Sequence, residues 1–298
     1  MSHDKRIVTR RAFAKVNFSL DVGPRRADGY HSVSTVMQTI SHADTLTVEQ
    51  TEEPGVSLET DWPTPPPDED NLVWRAATSF FRRRTSAEHG VRIRLSKRIP
   101  IQAGLGGGSS DAAATLLALN DLFGRPLCHE ELEDIGAALG SDVVFFLRGG
   151  TALMQGRGEQ GRDLPDAPEL TLVIVKPRGG VSTAEAYRAL DAHPDAMRVA
   201  HTEAVVEAIQ CGDRQGLLRA MGNHFECVVG MLCPDATRAM GRLIGLGALG
   251  ARLCGSGSAV FGVAQSEQEA ERIANALRAD FESVWVCRTV GRGEAIEG

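Results

Sequence analysis

No C-x-x-C pair occurs in the 298-residue chain, and its six cysteines (Cys128, Cys211, Cys227, Cys233, Cys254 and Cys287) are scattered. That spacing suggests neither a disulfide framework nor a zinc site, and it suits reduced thiols in the cytoplasm. No apolar run approaches the roughly 20 residues that a membrane-spanning helix needs. The longest, such as Val143–Leu147 and Leu172–Val175, read as core segments. Excess positive charge is missing too. A formal net charge of -7 argues against a general binder of nucleic acid or anionic membrane, so any phosphate site must be local. The basic stretch Met1–Arg11 is not followed by the apolar segment and small-residue cleavage site of a secretory signal. No internal repeat or low-complexity tract is present.

What is there suffices for one large domain or two ordinary ones, since 42% of residues are hydrophobic. Ala12, Ala14, Val16, Phe18 and Leu20 alternate with Lys15, Asn17, Ser19 and Asp21, which predicts a strand with one polar face. Asp28-Gly29 marks a turn, and extended stretches follow near 33–40 and 45–50. Glu52 to Asp70, with Pro63 and Pro65 to Pro67, reads as an exposed loop. Asn71 is placed to cap a helix carrying Leu72, Ala76 and Phe80; a strand at 91–95 then runs into Pro100. Helices are predicted after the next loop, around Ala112–Leu119 and Glu130–Leu139, the second ended by Gly140. Glycines at 149, 150, 156, 158 and 161, with Pro165 and Pro168, mark a boundary between residues 1–160 and 161–298. Beyond it lie strands at 170–176, 258–263 and 283–289 and helices at 183–190, 203–209, 234–244 and 267–277. This mixed order indicates an α+β fold.

The strongest local signal is Pro100-Ile101-Gln102-Ala103-Gly104-Leu105-Gly106-Gly107-Gly108-Ser109-Ser110-Asp111, set between a predicted strand and a predicted helix. Glycines let backbone N–H groups come close to a polyphosphate, and the helix dipole favours its charge. The hydroxyls of Ser109 and Ser110 add donors or a contact to Mg²⁺. A Walker loop needs a lysine that is missing between Gly104 and Asp111. A dinucleotide fingerprint starting at Gly104 would need glycine where Ser109 stands. From pattern alone, Lys15 and Asn17 are either a solvated strand face or two groups aimed into one cleft. Asp142 is either a helix cap or a base, and Tyr30 and His31 are either loop packing or a ligand contact.

The loop pattern P-x-x-x-G-L-G-G-G-S-S resembles the ATP-binding motif of the galactokinase, homoserine kinase, mevalonate kinase and phosphomevalonate kinase (GHMP) superfamily. Ala14-Lys15-Val16-Asn17 with Asp28-Gly29-Tyr30-His31 is similar to the opening of the diphosphocytidyl-methylerythritol kinases within it. Leu139-Gly140-Ser141-Asp142-Val143, Val181-Ser182-Thr183-Ala184 and Gly255-Ser256-Gly257-Ser258 resemble that family's later motifs, so the likeness spans positions 14 to 258. One departure is Val144, where relatives often carry proline.

The resemblance implies the two-domain GHMP architecture with the active site in the interdomain cleft. It also implies transfer of a phosphoryl group from ATP, with Mg²⁺, to the 2-hydroxyl of 4-diphosphocytidyl-2-C-methyl-D-erythritol. In that reading Lys15 and Asp142 are catalytic, the lysine balancing charge and the aspartate accepting the hydroxyl proton. Asn17 meets the acceptor alcohol, and Tyr30 and His31 hold its cytidine. Thr183 and Tyr187 approach from the second domain. Asn71, residues 100–110 and Gly255, Ser256 and Gly257 contact ATP. Another small-alcohol kinase of the superfamily, for mevalonate or homoserine, is the alternative, and a diphosphomevalonate decarboxylase a more distant one.

Overall fold

The computed structural model describes residues 6–84, 89–193, 199–281 and 283–297. Eleven strands among them form two sheets. The larger contains β1 (Ile7–Arg25), β2 (His31–Thr51), β3 (Val56–Thr60), β4 (Gly90–Ser96), β5 (Thr151–Gln155), β6 (Gln160–Asp163) and β8 (Gly222–Asn223). Its order is β3-β4-β2-β1-β8, with the β5–β6 hairpin joined to β2. The smaller sheet runs β11-β7-β10-β9, from β7 (Thr171–Lys176), β9 (Gly250–Leu253), β10 (Val260–Ala264) and β11 (Ser283–Arg288).

β1 and β2 make one long antiparallel hairpin, closed by the predicted turn at Gly29, whose φ is +86°. The two extended stretches expected near 33–40 and 45–50 are a single strand. The register steps from Phe13↔Ala43 to Ala14↔Ile40, so polar Ser41 and His42 form a bulge rather than a turn. The segment expected to be loop between Glu52 and Asp70 also departs from expectation, because β3 pairs parallel with β4 at the sheet edge, just ahead of the prolines. An edge strand tolerates such neighbours, since proline costs nothing where no partner awaits its missing N–H. A cut between residues 160 and 161 falls within β6, which pairs with β5 of the larger sheet.

Helices α1 (Leu72–Arg83), α2 (Gly107–Leu122), α3 (His129–Leu139) and α4 (Ser141–Arg148) share one core with β2 and β4. Asn71 caps α1 as expected, its Oδ1 accepting from Val73 N at 3.0 Å. Small residues, Ala112, Ala113 and Ala118, let α2 lie close against the sheet. The second core joins β7, β9 and β10 to α5 (Thr183–Asp191), α8 (Glu226–Leu232), α9 (Pro234–Gly245) and α10 (Glu267–Leu277). A third lies between the sheets. There Ala14, Val16 and Phe18 of β1 meet Leu172, Ile174 and Phe261, with α6 (Thr202–Gln210) and α7 (Arg214–Ala220) alongside. α11 (Arg292–Glu297) returns to the first half of the chain, with Ala295 packed over Gly149. Neither α7 nor α8 was expected; each spans seven residues, about two turns. No helix among the described residues is long and apolar enough to cross a membrane.

A buried ion cluster ties the start of α2 to the end of β4. Lys97 Nζ donates to Asp44 Oδ2 at 2.5 Å and to Asp111 Oδ2 at 2.6 Å. Asp44, fully buried, also accepts from the amides of Arg98 and Ile99. Burial opposes the Lys97 charge, yet the two carboxylates hold its ammonium above the ordinary lysine range. Truncating Asp44 would leave Lys97 paired with Asp111 but would strand the amides of Arg98 and Ile99, at roughly 1–3 kcal/mol for each group. Asp44→Ala is therefore expected to lower the urea-unfolding free energy by about that amount, and a change under about 1 kcal/mol would show the cluster to be well solvated.

Candidate active site

β1 delivers Lys15 and Asn17, and its register shifts at Phe13/Ala14 and Asn17/Ser19 flank the pair. Bulges of this kind re-aim side chains beside functional sites. The polar face is not solvated, because every residue from Ala12 to Leu20 is buried, on both sides of the strand. Lys15 is left 4% exposed at its side chain, so its ammonium needs oxygen partners. Nζ donates to Asn17 Oδ1 at 2.8 Å and lies 3.7 Å from Asp142 Oδ2. Asp142 stands in the first turn of α4, where Gly140 ends one helix and begins the next, and a third of its side chain stays open to solvent. Asn17 Nδ2 donates to Thr35 Oγ1 at 2.9 Å, and Thr35 donates in turn to the Ser19 carbonyl at 2.5 Å.

The first glycine loop lies directly on this pair. Leu105 O accepts from Lys15 N at 3.0 Å, and Gly106, with φ +75°, has Phe146 and the Lys15 stem where a side chain would stand. Gly104, at φ +77°, faces the second loop so closely that a Cβ would come within 1.9 Å of the Cys254 carbonyl oxygen. Loop-on-loop packing alone demands a glycine there. Gly107 has helical backbone and is confined by Ile99 at 2.9 Å, whereas Gly108 is exposed and a Cβ there would meet only Leu72, at 3.6 Å. α2 begins with no side-chain cap, and its first internal bond runs from Ser110 N to Gly106 O. Among the described residues, no protein group accepts from the amides of Gly107, Gly108 and Ser109. Ser109 Oγ sits 4.0 Å from the side-chain position of Gly140, beside the turn that bears Asp142.

Ser110, expected to face phosphate or Mg²⁺, turns instead toward β1. It is buried, and its hydroxyl donates to the Phe13 carbonyl at 2.6 Å, because the fourth position of α2 points into the sheet. Ala103 is buried and its carbonyl accepts from Ala259 N at 3.0 Å. Pro100 precedes an exposed corner of Ile101 and Gln102, the latter against Gly180. In the second loop, Gly255 N donates to Asn17 Oδ1 at 2.9 Å, Ser256 Oγ is 3.2 Å from Thr183 Oγ1, and Gly257 turns at φ +99°.

A wall of rings borders the same cleft. His31 and Tyr187 stack with centroids 5.1 Å apart, and Tyr187 meets Phe225 edge-on at 5.0 Å. His31 Nδ1 donates to the Gly23 carbonyl at 2.9 Å, and Nε2 faces Asp191 at 3.1 Å. Burial, with the nearby Asp142 carboxylate, pushes the Tyr187 phenol up to about 12, so its hydroxyl stays protonated. Tyr30 is 58% exposed, with the Arg157 guanidinium 5.3 Å from its ring centre. Asn71 is joined to the glycine helix through Leu72, which touches Gly108. Thr35, Arg157 and Asp191 escaped the sequence reading. Asp191 was within reach, since it follows Tyr187 by one helical turn; Arg157 was not, since only the β5–β6 turn brings it near Tyr30.

Asp21, His201 and His224 form the one close group of three potential metal-ligating side chains among the described residues. His224 Nδ1 accepts from Val22 N at 3.0 Å, which leaves the proton on Nε2, donated to the Val199 carbonyl at 2.7 Å. Asp21 is occupied by the amides of His201 and Thr202. These atoms are spent on joining α6 to β1.

Residues 71–150 match the family model for the GHMP kinases N terminal domain, and residues 204–283 match that for the GHMP kinases C terminal. The 4-diphosphocytidyl-2-C-methyl-D-erythritol kinase of Moorella thermoacetica is 46% identical over 95% of this chain and 99% of its own. The protein of that name from Desulfitobacterium hafniense is 42% identical over 95% of this chain and 96% of its own. A crystal structure of 4-(cytidine 5'-diphospho)-2C-methyl-D-erythritol kinase superposes with TM-score 0.80 at 38% identity, covering 95% of this chain and all of that one. Homoserine kinase from Cytophaga hutchinsonii shares the fold, with TM-score 0.77 at 21% identity and coverage of 98% and 96%.

The two glycines make opposite expectations measurable. Gly104→Ala should lower the melting temperature by several degrees, because backbone must move to admit the methyl group, whereas Gly108→Ala should leave it nearly unchanged. Equal melting of the two variants would refute the loop-on-loop explanation.

Proposed function

The chain belongs to the 4-diphosphocytidyl-2-C-methyl-D-erythritol kinases of the GHMP superfamily, and from that premise we propose that it phosphorylates the 2-hydroxyl of 4-diphosphocytidyl-2-C-methyl-D-erythritol with ATP. The reaction is a step in making isoprenoid precursors by the non-mevalonate route. The observation that carries this reading is the pairing of Lys15 with Asp142 at 3.7 Å, next to an α2 terminus whose first amides have no protein acceptor.

ATP supplies the phosphoryl group. Free amides and unsubstituted glycines fit its phosphates, since the N–H groups and the helix dipole together favour an anion. Asp142 then accepts the proton of the acceptor hydroxyl, and the Lys15 ammonium offsets charge gathering beside the transferred group. Positioning matters most in such a transfer. Asn17 keeps one N–H beyond the bond to Thr35, enough to meet the alcohol. Tyr30, His31, Tyr187 and Thr183 face the cytidine half, the rings stacking on the base. Asn71 lies toward the adenine. Mg²⁺, where bound, would offset phosphate charge beside the head of α2, where the Ser109 hydroxyl and the part-exposed Asp142 carboxylate stand, while Asp111 is buried and committed to Lys97. Residues 1–160 would then carry the ATP loop and residues 161–298 the second loop. The acidic net charge and the six free thiols suit a cytoplasmic enzyme with a small-molecule partner and no nucleic acid.

Asp142→Asn is expected to lower kcat by about 100- to 10,000-fold while ATP affinity stays within twofold or so; near-normal turnover would remove the base assignment. The substrate is tested by kcat/KM on the cytidylated acceptor against bare 2-C-methyl-D-erythritol 4-phosphate, mevalonate and homoserine. The cytidylated acceptor should be strongly preferred, and Tyr187→Ala or Tyr30→Ala should erode that preference, because binding energy from the base positions the distant hydroxyl. Equal rates on cytidylated and bare acceptors would overturn the substrate and leave the kinase.

A further inference from the structure

Lys15 does not hold its own position. Its ammonium shares Asn17 Oδ1 with the amide of Gly255, at 2.8 and 2.9 Å, so two donors from opposite sides of the cleft converge on one oxygen. Gly255 itself is held by a side chain that lies outside both glycine loops. Asn223, buried at 5% exposure in β8, donates from Nδ2 to Gly255 O at 2.8 Å and to Leu253 O at 3.0 Å. Its Oδ1 accepts from Phe225 N at 3.0 Å. Turning the amide over would set oxygen against two carbonyls and N–H against N–H, so this orientation is the one the surroundings permit.

The location gives those bonds their leverage. β8 pairs with β1 at Ser19 and Leu20, a few residues from Lys15 on the same strand. Asn223 therefore fastens the second glycine loop to the strand that carries the lysine. Little slack exists at the far end, since a Cβ on Gly255 would lie 3.3 Å from Lys15 Nζ and 3.2 Å from Gly104 O. Where the Gly255 peptide sits decides where the ammonium can sit.

We propose that Asn223 is a positioning residue for phosphoryl transfer, acting on Lys15 through Gly255 and Asn17. The inference rests on the catalytic role given to Lys15 above. With the Asn223 donors gone, the Gly255 peptide relaxes, Asn17 loses one of its two donors and can rotate, and the ammonium follows it away from Asp142. The nucleotide cradle at the head of α2 shares none of these bonds.

The test is a mutant cycle in single-turnover kinetics with ATP and the cytidylated acceptor. Asn223→Ser should lower the transfer rate at saturating ATP by about 10- to 100-fold, the scale of a sub-ångström to 1 Å misplacement. In an Asn17→Ala background, where the link is already cut, Asn223→Ser should cost nothing further, since residues acting through one another are not additive. A support role for the fold alone would lower activity equally in both backgrounds, and that result overturns the proposal. Should Asn223→Ser fail to fold, Asn223→Ala, which removes both donors without setting an oxygen against the two carbonyls, is read the same way. Lys15→Met separates the two levels. Impaired Lys15→Met with normal Asn223 variants sinks this inference alone, whereas near-normal Lys15→Met removes the role of Lys15 and the inference with it.

Discussion

A lysine ammonium enclosed by protein must be met by oxygen, and much of this structure is arranged around satisfying Lys15 without neutralising it. Its near partner is an amide oxygen at 2.8 Å, and its carboxylate partner stands off at 3.7 Å. Lys97 shows the contrasting solution only a loop away. There two carboxylates at 2.5 and 2.6 Å bind the ammonium tightly and lock β4 to α2. The saturated lysine serves architecture. The one with a distant carboxylate keeps capacity for a further anion, which suits the role proposed for Lys15 in phosphoryl transfer.

Holding that arrangement takes both halves of the chain. Asn17 comes from β1, Asp142 from the start of α4, and Gly255 from the turn between β9 and β10. The apolar layer between the sheets, with Phe18 and Phe261 fully buried, brings these elements together. Backbone contact finishes the approach. Leu105 O meets Lys15 N, Ala103 O meets Ala259 N, and Gly104 passes close to the Cys254 carbonyl. The glycine loops are thus shaped as much by each other as by the nucleotide they would hold.

The aromatic wall is built across the same divide. His31 belongs to the β1–β2 hairpin and Tyr187 to α5, and Asp191, one turn further along α5, faces His31 from the second half of the chain. Ring stacking and the 3.1 Å contact of His31 Nε2 with Asp191 therefore hold the two sides of the cleft together. The Asp142 carboxylate lies near enough to the Tyr187 phenol to push its pKa up, so the ring wall borders the Lys15–Asp142 pair.

Local chemistry determined much of this from the sequence. Gly106 to Ser110 had to start a helix, Gly140 had to end one, and Asn71 had to cap another, because capping and turn preferences act over three or four residues. Motif order then named the family and pointed to Lys15 and Asp142. Burial was beyond that range. The alternation that marked Lys15, Asn17 and Ser19 as a polar face could not show that α2, α4 and the second loop would cover it. Ser110 looked equivalent to Ser109 until the helix phase turned it toward Phe13. β3 was hidden among prolines, since an edge strand needs a partner from elsewhere more than a propensity of its own. Asn223 lies far in sequence from Gly255, and only the packing of the two sheets makes them neighbours, whereas Arg157 reaches Tyr30 through the pairing of β5 with β2 inside the larger sheet.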